Sequence, residues 1–157
     1  LLSRRQRQMC IETDAQQLDW LLLDYERHRQ MQDYVRDLNH FYLDHSSLWN
    51  NDSDWNGFQW INANDGDRSI FSFIRRDETG KKNLLFIINF TPVARDDYRV
   101  GVPKSGTYSL ILNSEHGLYK RGEHAFSVRS KKSECDGQPY SFAYPLPAYG
   151  AAIFKFN

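Results

Sequence analysis

The sequence has little of what would place it in most functional classes. Two cysteines, Cys10 and Cys135, occur in 157 residues, far apart and in no shared motif. That excludes a disulfide framework or zinc knot and suits a reduced, cytoplasmic compartment. Excess charge is missing too: twenty Lys and Arg balance twenty Asp and Glu, so no net field draws nucleic acid or an anionic membrane. No apolar run approaches the roughly 18 residues that span a bilayer. The opening LLSRRQRQMC carries its charges after its only leucines, unlike a signal peptide. Neither a nucleic-acid nor a membrane partner is expected. The chain has no GxSxG elbow, P-loop or GxGxxG, so hydrolase, phosphoryl-transfer and dinucleotide readings lack their loop chemistry. His28, His40, His45, His116 and His124 form no HExxH pair and no carboxylate-flanked i,i+4 pair, and no metal or cofactor is expected. A start at Leu1, with the first methionine at Met9, gives the expectation of a fragment of a longer product.

Aromatic residues are plentiful: four Trp, nine Tyr and ten Phe make 15% of the chain, which favours strands and supplies stacking surfaces. From Tyr25 to His45 the apolar residues Met31, Tyr34, Val35, Leu38, Phe41 and Tyr42 recur with a 3.6-residue period, predicting a helix with one buried stripe. Leu18 to Leu23 is too continuous for a surface helix and reads as a buried connector or short turn of helix. After Ser46 and Ser47 the pattern becomes short β segments between turn residues. Candidates are 59–62, 69–75, 84–90, 98–102, 107–112, 126–129, 141–144 and 151–156, with 70–88 forming a hairpin whose second strand is buried on both faces. Eight such strands indicate an antiparallel sandwich or barrel. The layout is a helical arm, residues 1–47, followed by a β domain, residues 48–157.

Few constellations suggest chemistry. Asp52 to Gly57 matches the first positions of a calcium loop, but Ala63 stands where a bidentate Glu belongs, so it reads as a polar turn entering a strand. The acid pairs Asp65/Asp67 and Asp96/Asp97 read as solvated turn residues rather than the facing carboxylates of glycoside chemistry. Trp49, Trp55, Phe58 and Trp60 fall close together. Exposed rings there could stack on sugar faces; the favoured account has them filling a seam between arm and β domain, with Trp60, inside a strand, as core.

Taken in order, Leu18-Asp19-Trp20, His28-Arg29, Val35-Arg36-Asp37-Leu38-Asn39, Gly57-Phe58-Gln59-Trp60-Ile61, Ser69 to Arg76, Asn89-Phe90-Thr91-Pro92-Val93, Tyr98 to Pro103 and Leu112-Asn113-Ser114 resemble the C-terminal end of bacterial glycogen branching enzymes. These are 1,4-α-glucan branching enzymes of the α-amylase superfamily. Ser3 to Cys10 departs from the stretch usual before the Leu-Asp-Trp element. The resemblance implies a mainly β fold: an antiparallel β-sandwich of the α-amylase C-terminal all-β type, after an arm ending the catalytic barrel. The family's catalytic acids lie upstream, so no catalytic residue is expected here and the isolated chain is expected to be inactive. The implied partners are the missing barrel and an α-glucan, glycogen, with Trp49, Trp55, Trp60 and Tyr119 as candidate carbohydrate-binding residues. Two alternatives stand beside this reading: a free-standing, non-catalytic carbohydrate-binding β module, and a degenerate gene remnant.

Overall fold

Asp19 accepts a hydrogen bond from the Leu21 backbone N–H at 3.1 Å, the geometry of an N-cap, and Trp20–Asp24 follows as a 3-10 turn. The short turn is therefore present, but Trp20 and Leu21 are exposed rather than buried. Helix α1, Glu26–Asp44, begins with Glu26, whose carboxylate suits the positive end of the helix dipole and accepts from Gln30 Nε2 one turn on, at 3.0 Å. At its far end His45 Nδ1 lies 2.8 Å from the Phe41 carbonyl, satisfying one of the last-turn acceptors. None of the residues of α1 is buried, and Met31, Val35 and Tyr42 of the predicted stripe are exposed.

The computed structural model describes residues 19–114 and 126–157. Cys10, His116, Tyr119, His124 and the Ser3 to Cys10 departure lie outside the described residues. The chain divides into two compact units, Leu1–Leu38 and Asn39–Asn157.

The second unit carries the strands β1 (Phe58–Asp65), β2 (Ile70–Arg76), β3 (Asn83–Asn89), β4 (Arg95–Val102), β5 (Thr107–Asn113), β6 (Ser127–Arg129), β7 (Tyr140–Leu146) and β8 (Ala151–Phe156). They form a six-stranded sheet in the order β1-β2-β3-β8-β5-β6 and a two-stranded sheet, β4-β7, with every pairing antiparallel. The core draws on both sheets. Ile70, Ile74, Leu85, Ile87, Phe154 and Phe156 come from the larger, and Tyr98, Val100, Val102, Phe142, Tyr144 and Leu146 from the smaller. This is the mainly antiparallel sandwich arrangement that the sequence implies. No helix among the described residues is long and apolar enough to cross a membrane.

The β2–β3 turn is held by one carboxylate. Asp77 is buried and accepts from the Thr79 hydroxyl at 2.9 and 3.0 Å and from the backbone N–H groups of Lys81 and Lys82 at 3.2 and 3.3 Å. Burial pushes its pKa up, but the Thr79 hydroxyl, the Lys82 and Lys81 amides and the Lys82 charge outweigh that and hold it below the ordinary carboxylate value. A depressed folded pKa stabilises the fold above the unfolded value, near 4, and that contribution disappears as pH falls through the folded value. Thermal melts are therefore expected to lose stability below about pH 4, and Asp77→Asn should flatten that part of the profile. An unchanged acid limb in the variant would assign the loss to other carboxylates.

Candidate functional site: an aromatic sheet face and a mixed-charge cleft

Side chains alternate across a strand, so the large sheet has two faces. Ile70, Ser72, Ile74, Leu85 and Ile87 point into the core. The alternate positions carry Phe71, Phe73, Phe86 and Ile88, which are only partly buried. On β3 the outward Leu84 is buried while Phe86 and Ile88 are partly so, and the expected burial on both faces is complete only at the Leu84 end.

Register aligns the outer side chains across strands: Trp60 opposes Phe73, and Phe73 opposes Phe86. Phe58 stacks on Phe73 at 5.2 Å between centroids, Phe73 stacks on Phe86 at 4.7 Å, and the Trp60 ring meets Phe73 edge-on at 5.6 Å. Phe71 meets Phe90 edge-on at 5.6 Å. Such offsets and edges are the favoured aromatic geometries. Trp60 is not core: its neighbour Ile61 takes the inner face of edge strand β1, leaving Trp60 50% exposed on the outer one.

Toward one end of this face the segment after α1 is tied to the sheet. Arg75 donates to the carbonyls of Ser47 and Leu48 at 3.4 and 3.2 Å and pairs with Asp52 at 2.7 Å, while the Ser47 hydroxyl donates to the Lys82 carbonyl at 2.7 Å. Asp54 caps a 3-10 turn, Trp55–Gly57, through the Asn56 N–H. Gly57 is required there, because a Cβ would lie 1.8 Å from the Asn51 carbonyl oxygen. Asp52 and Asp54 are thereby engaged with Arg75 and the turn, as a polar turn would have them. The turn presents Trp55, 95% exposed, and Trp49 on the same segment is 47% exposed. Neither fills a core. Tyr119, the remaining sequence candidate, lies outside the described residues.

A second feature has no signal in the sequence. A cleft of about 390 Å³ is lined by Arg68, Arg95, Asp97, Tyr98, Arg99 and Asp136, with Asp96 and Cys135 beside them. Asp65, ending β1, pairs with Arg68 at 2.7 Å, and the Arg68 guanidinium lies 5.4 Å from the centroid of the Tyr98 ring. Asp96 and Asp97 sit within β4 rather than in a turn, both exposed. Asp136 accepts from Asn62 Nδ2 at 2.9 Å and from the Gly101 N–H at 3.0 Å. Gly101 allows this approach, since a Cβ would meet the Cys135 carbonyl at 2.1 Å. Tyr98 is 3% exposed, and its hydroxyl has no hydrogen-bond partner; the buried Arg95 Nε has none either. Burial, then the charges of Asp136 and Asp65, push the Tyr98 phenol well above its ordinary pKa. Burial and the adjacent Asp136 push the Cys135 thiol up to about 11, which leaves it protonated and unreactive near neutral pH.

Comparison with known proteins places these features in a lineage. Residues 60–157 match the family model described as alpha amylase, C-terminal all-beta domain. The chain is similar to a 1,4-alpha-glucan branching enzyme of Butyrivibrio fibrisolvens, 44% identical over 92% of this chain and 23% of that protein. It is similar to those of Halothermothrix orenii (37% identical, 89% of this chain, 22% of that protein) and Gloeobacter violaceus (42%, 89% and 19%). It spans about a fifth of the length of these relatives.

Proposed function

Because the chain belongs to the family of the alpha amylase C-terminal all-beta domain, we propose that it is the C-terminal part of a 1,4-α-glucan branching enzyme. In that protein it seats against the catalytic barrel and contributes contacts to glycogen. Residues 1–47 then close the barrel and residues 48–157 form the sandwich. The observation that carries the reading is the outer face of the large sheet. Phe58, Trp60, Phe71, Phe73, Phe86 and Phe90 form one connected set of ring contacts on a surface where Trp60 and Phe90 are exposed. A patch of this kind marks a surface made to be covered. The occupant we assign is the barrel, the part of the relatives that this chain does not span. Among the described residues, Asp65 is paired with Arg68, and Asp136 accepts from Asn62 and Gly101.

The test compares two lengths of protein. In the product read in frame from upstream of Leu1, Trp60→Ala is expected to lower the unfolding midpoint and the branching activity. In the 157-residue chain it should change the midpoint little, because the ring is half exposed there. Equal effects in both, or an upstream frame without a barrel, would overturn the reading.

Glucan contact is assigned first to Trp55. A sugar offers few charges, so its CH faces must lie on an aromatic plane, and Trp55 is held outward by a capped turn. Trp55→Ala should reduce retention in a glycogen affinity gel with no change in thermal midpoint. Retention equal to that of the parent chain would remove Trp55 from the site, leaving Trp49.

A further inference from the structure

We propose that Asn56-Gly57 is a modification site, at which the asparagine converts spontaneously to aspartate and isoaspartate, and that the Asp54 cap holds the site closed in the folded chain. Of the asparagines in the sequence, Asn56 is the one followed by glycine. Glycine matters because no Cβ screens its backbone nitrogen, the nucleophile of the reaction. That nitrogen attacks the side-chain carbonyl carbon of Asn56, a C–N bond forms, the bond to Nδ2 breaks, and ammonia leaves with the proton given up by the Gly57 amide. Water then opens the cyclic imide at either of its carbonyls. One water is consumed, one ammonia is released, and nothing is oxidised or reduced.

The folded turn opposes each requirement of that step. The Gly57 N–H donates to the Asp54 carbonyl at 3.0 Å, and Gly57 is buried. The amide to be expelled is held as well: Asn56 Nδ2 lies 3.2 and 3.3 Å from the two Asp54 carboxylate oxygens, and the Asn56 N–H donates to one of them at 3.2 Å. Ring closure also needs a ψ at Asn56 far from the roughly −20 to −30° of a 3-10 turn. Asn56 itself is exposed, so water reaches it, and the step waits on local opening of a single surface turn, which costs less than opening the sheet. Conversion is then one-way. Isoaspartate lengthens the main chain by a carbon beside Gly57, where an added Cβ alone would lie 1.8 Å from the Asn51 carbonyl oxygen. The modified turn cannot close again, and Trp55, exposed upon it, loses its support.

The experiment incubates the full chain in neutral buffer at constant temperature and follows every asparagine by peptide mapping with mass spectrometry, isoaspartate being resolved from aspartate by chromatography. Asn56 is expected to convert before any other asparagine, giving both products. Asp54→Ala, checked for a folded spectrum, should convert about fivefold faster, the shift in the opening equilibrium that loss of one N-cap produces. Asn56→Gln should abolish the signal, because its ring would need one more member. A second measurement does not depend on any variant folding: the parent chain unfolded in urea should convert faster than the same chain in buffer. Faster conversion at another asparagine of the folded chain, an unchanged rate in Asp54→Ala, or equal rates with and without urea would each overturn the proposal.

Discussion

Phe154→Ala is expected to be the most damaging single substitution in the β domain, at a cost of about 3–5 kcal/mol. Phe154 is fully buried on β8, opposite Leu85 on one side and Leu110 on the other. Its ring meets Phe142, Tyr144 and Phe126 at 5.2, 5.0 and 6.3 Å, so it joins the two sheets as well as three strands of the larger one. Removing it loses the transfer free energy of the ring and leaves a cavity that flanking strands cannot close without breaking register. Against a total stability of about 5–15 kcal/mol, that is a large share. The internal control is Phe86→Ala, the same deletion on the outer face of the adjacent strand, which should cost clearly less. Denaturant midpoints at constant m value would measure both; equal losses would mean that the two faces are not distinct.

The second large effect is expected at Asn89. Its side chain is buried at the end of β3 and uses its whole hydrogen-bonding capacity. Nδ2 donates to the carbonyls of Val93 and Pro147, both at 2.9 Å, and Oδ1 accepts from the Thr91 N–H at 3.0 Å and the Thr91 hydroxyl at 2.7 Å. One residue thereby fixes the β3–β4 connection and the β7–β8 connection together. Asn89→Ala strands two acceptors and two donors; at about 1–3 kcal/mol for a buried group left unmade, with water rescuing some, a loss of about 3 kcal/mol is expected. Asn89→Asp is the sharper test. It keeps the shape and the two accepted bonds but puts a carboxylate against two carbonyl oxygens, so it should be at least as damaging as alanine. A tolerated aspartate would sink the hub account.

Much of this architecture was legible in the residues. Runs such as Leu84 to Ile88, set off by Asp77 to Lys81 on one side and Pro92 on the other, mark strands and turns to within a few positions, because turn chemistry and β-branched clusters are local signals. Which face of a strand is buried was not legible. In β2 both alternating sets are apolar, Ile70 and Ile74 against Phe71 and Phe73, and nothing within the strand says that isoleucine faces the core while phenylalanine faces out. On β1 the size of Trp60 suggests core, but the smaller Ile61 takes the inner face. The cleft was invisible on different grounds: Arg68 and Asp136 come from two separate turns and Tyr98 from strand β4, and the pairing of β4 with β7 and the Asn62 to Asp136 hydrogen bond bring them together. Trp49 and Trp55 were recognisable as a cluster, whereas their exposure depends on how Asp54 and Arg75 hold the backbone.

The position of β8 has a consequence for synthesis. It lies between β3 and β5, so until Ala151–Phe156 emerges, the large sheet exists at best as two separated pieces with facing open edges. One edge belongs to the apolar strand β3. At roughly 5–20 residues per second, a ribosome leaves those edges unpaired for several seconds after β5 has been made, and unpaired edges are templates for pairing with other chains. A nascent chain stalled, or ended by a premature stop codon, before residue 151 is therefore expected to aggregate rather than persist as a smaller soluble domain.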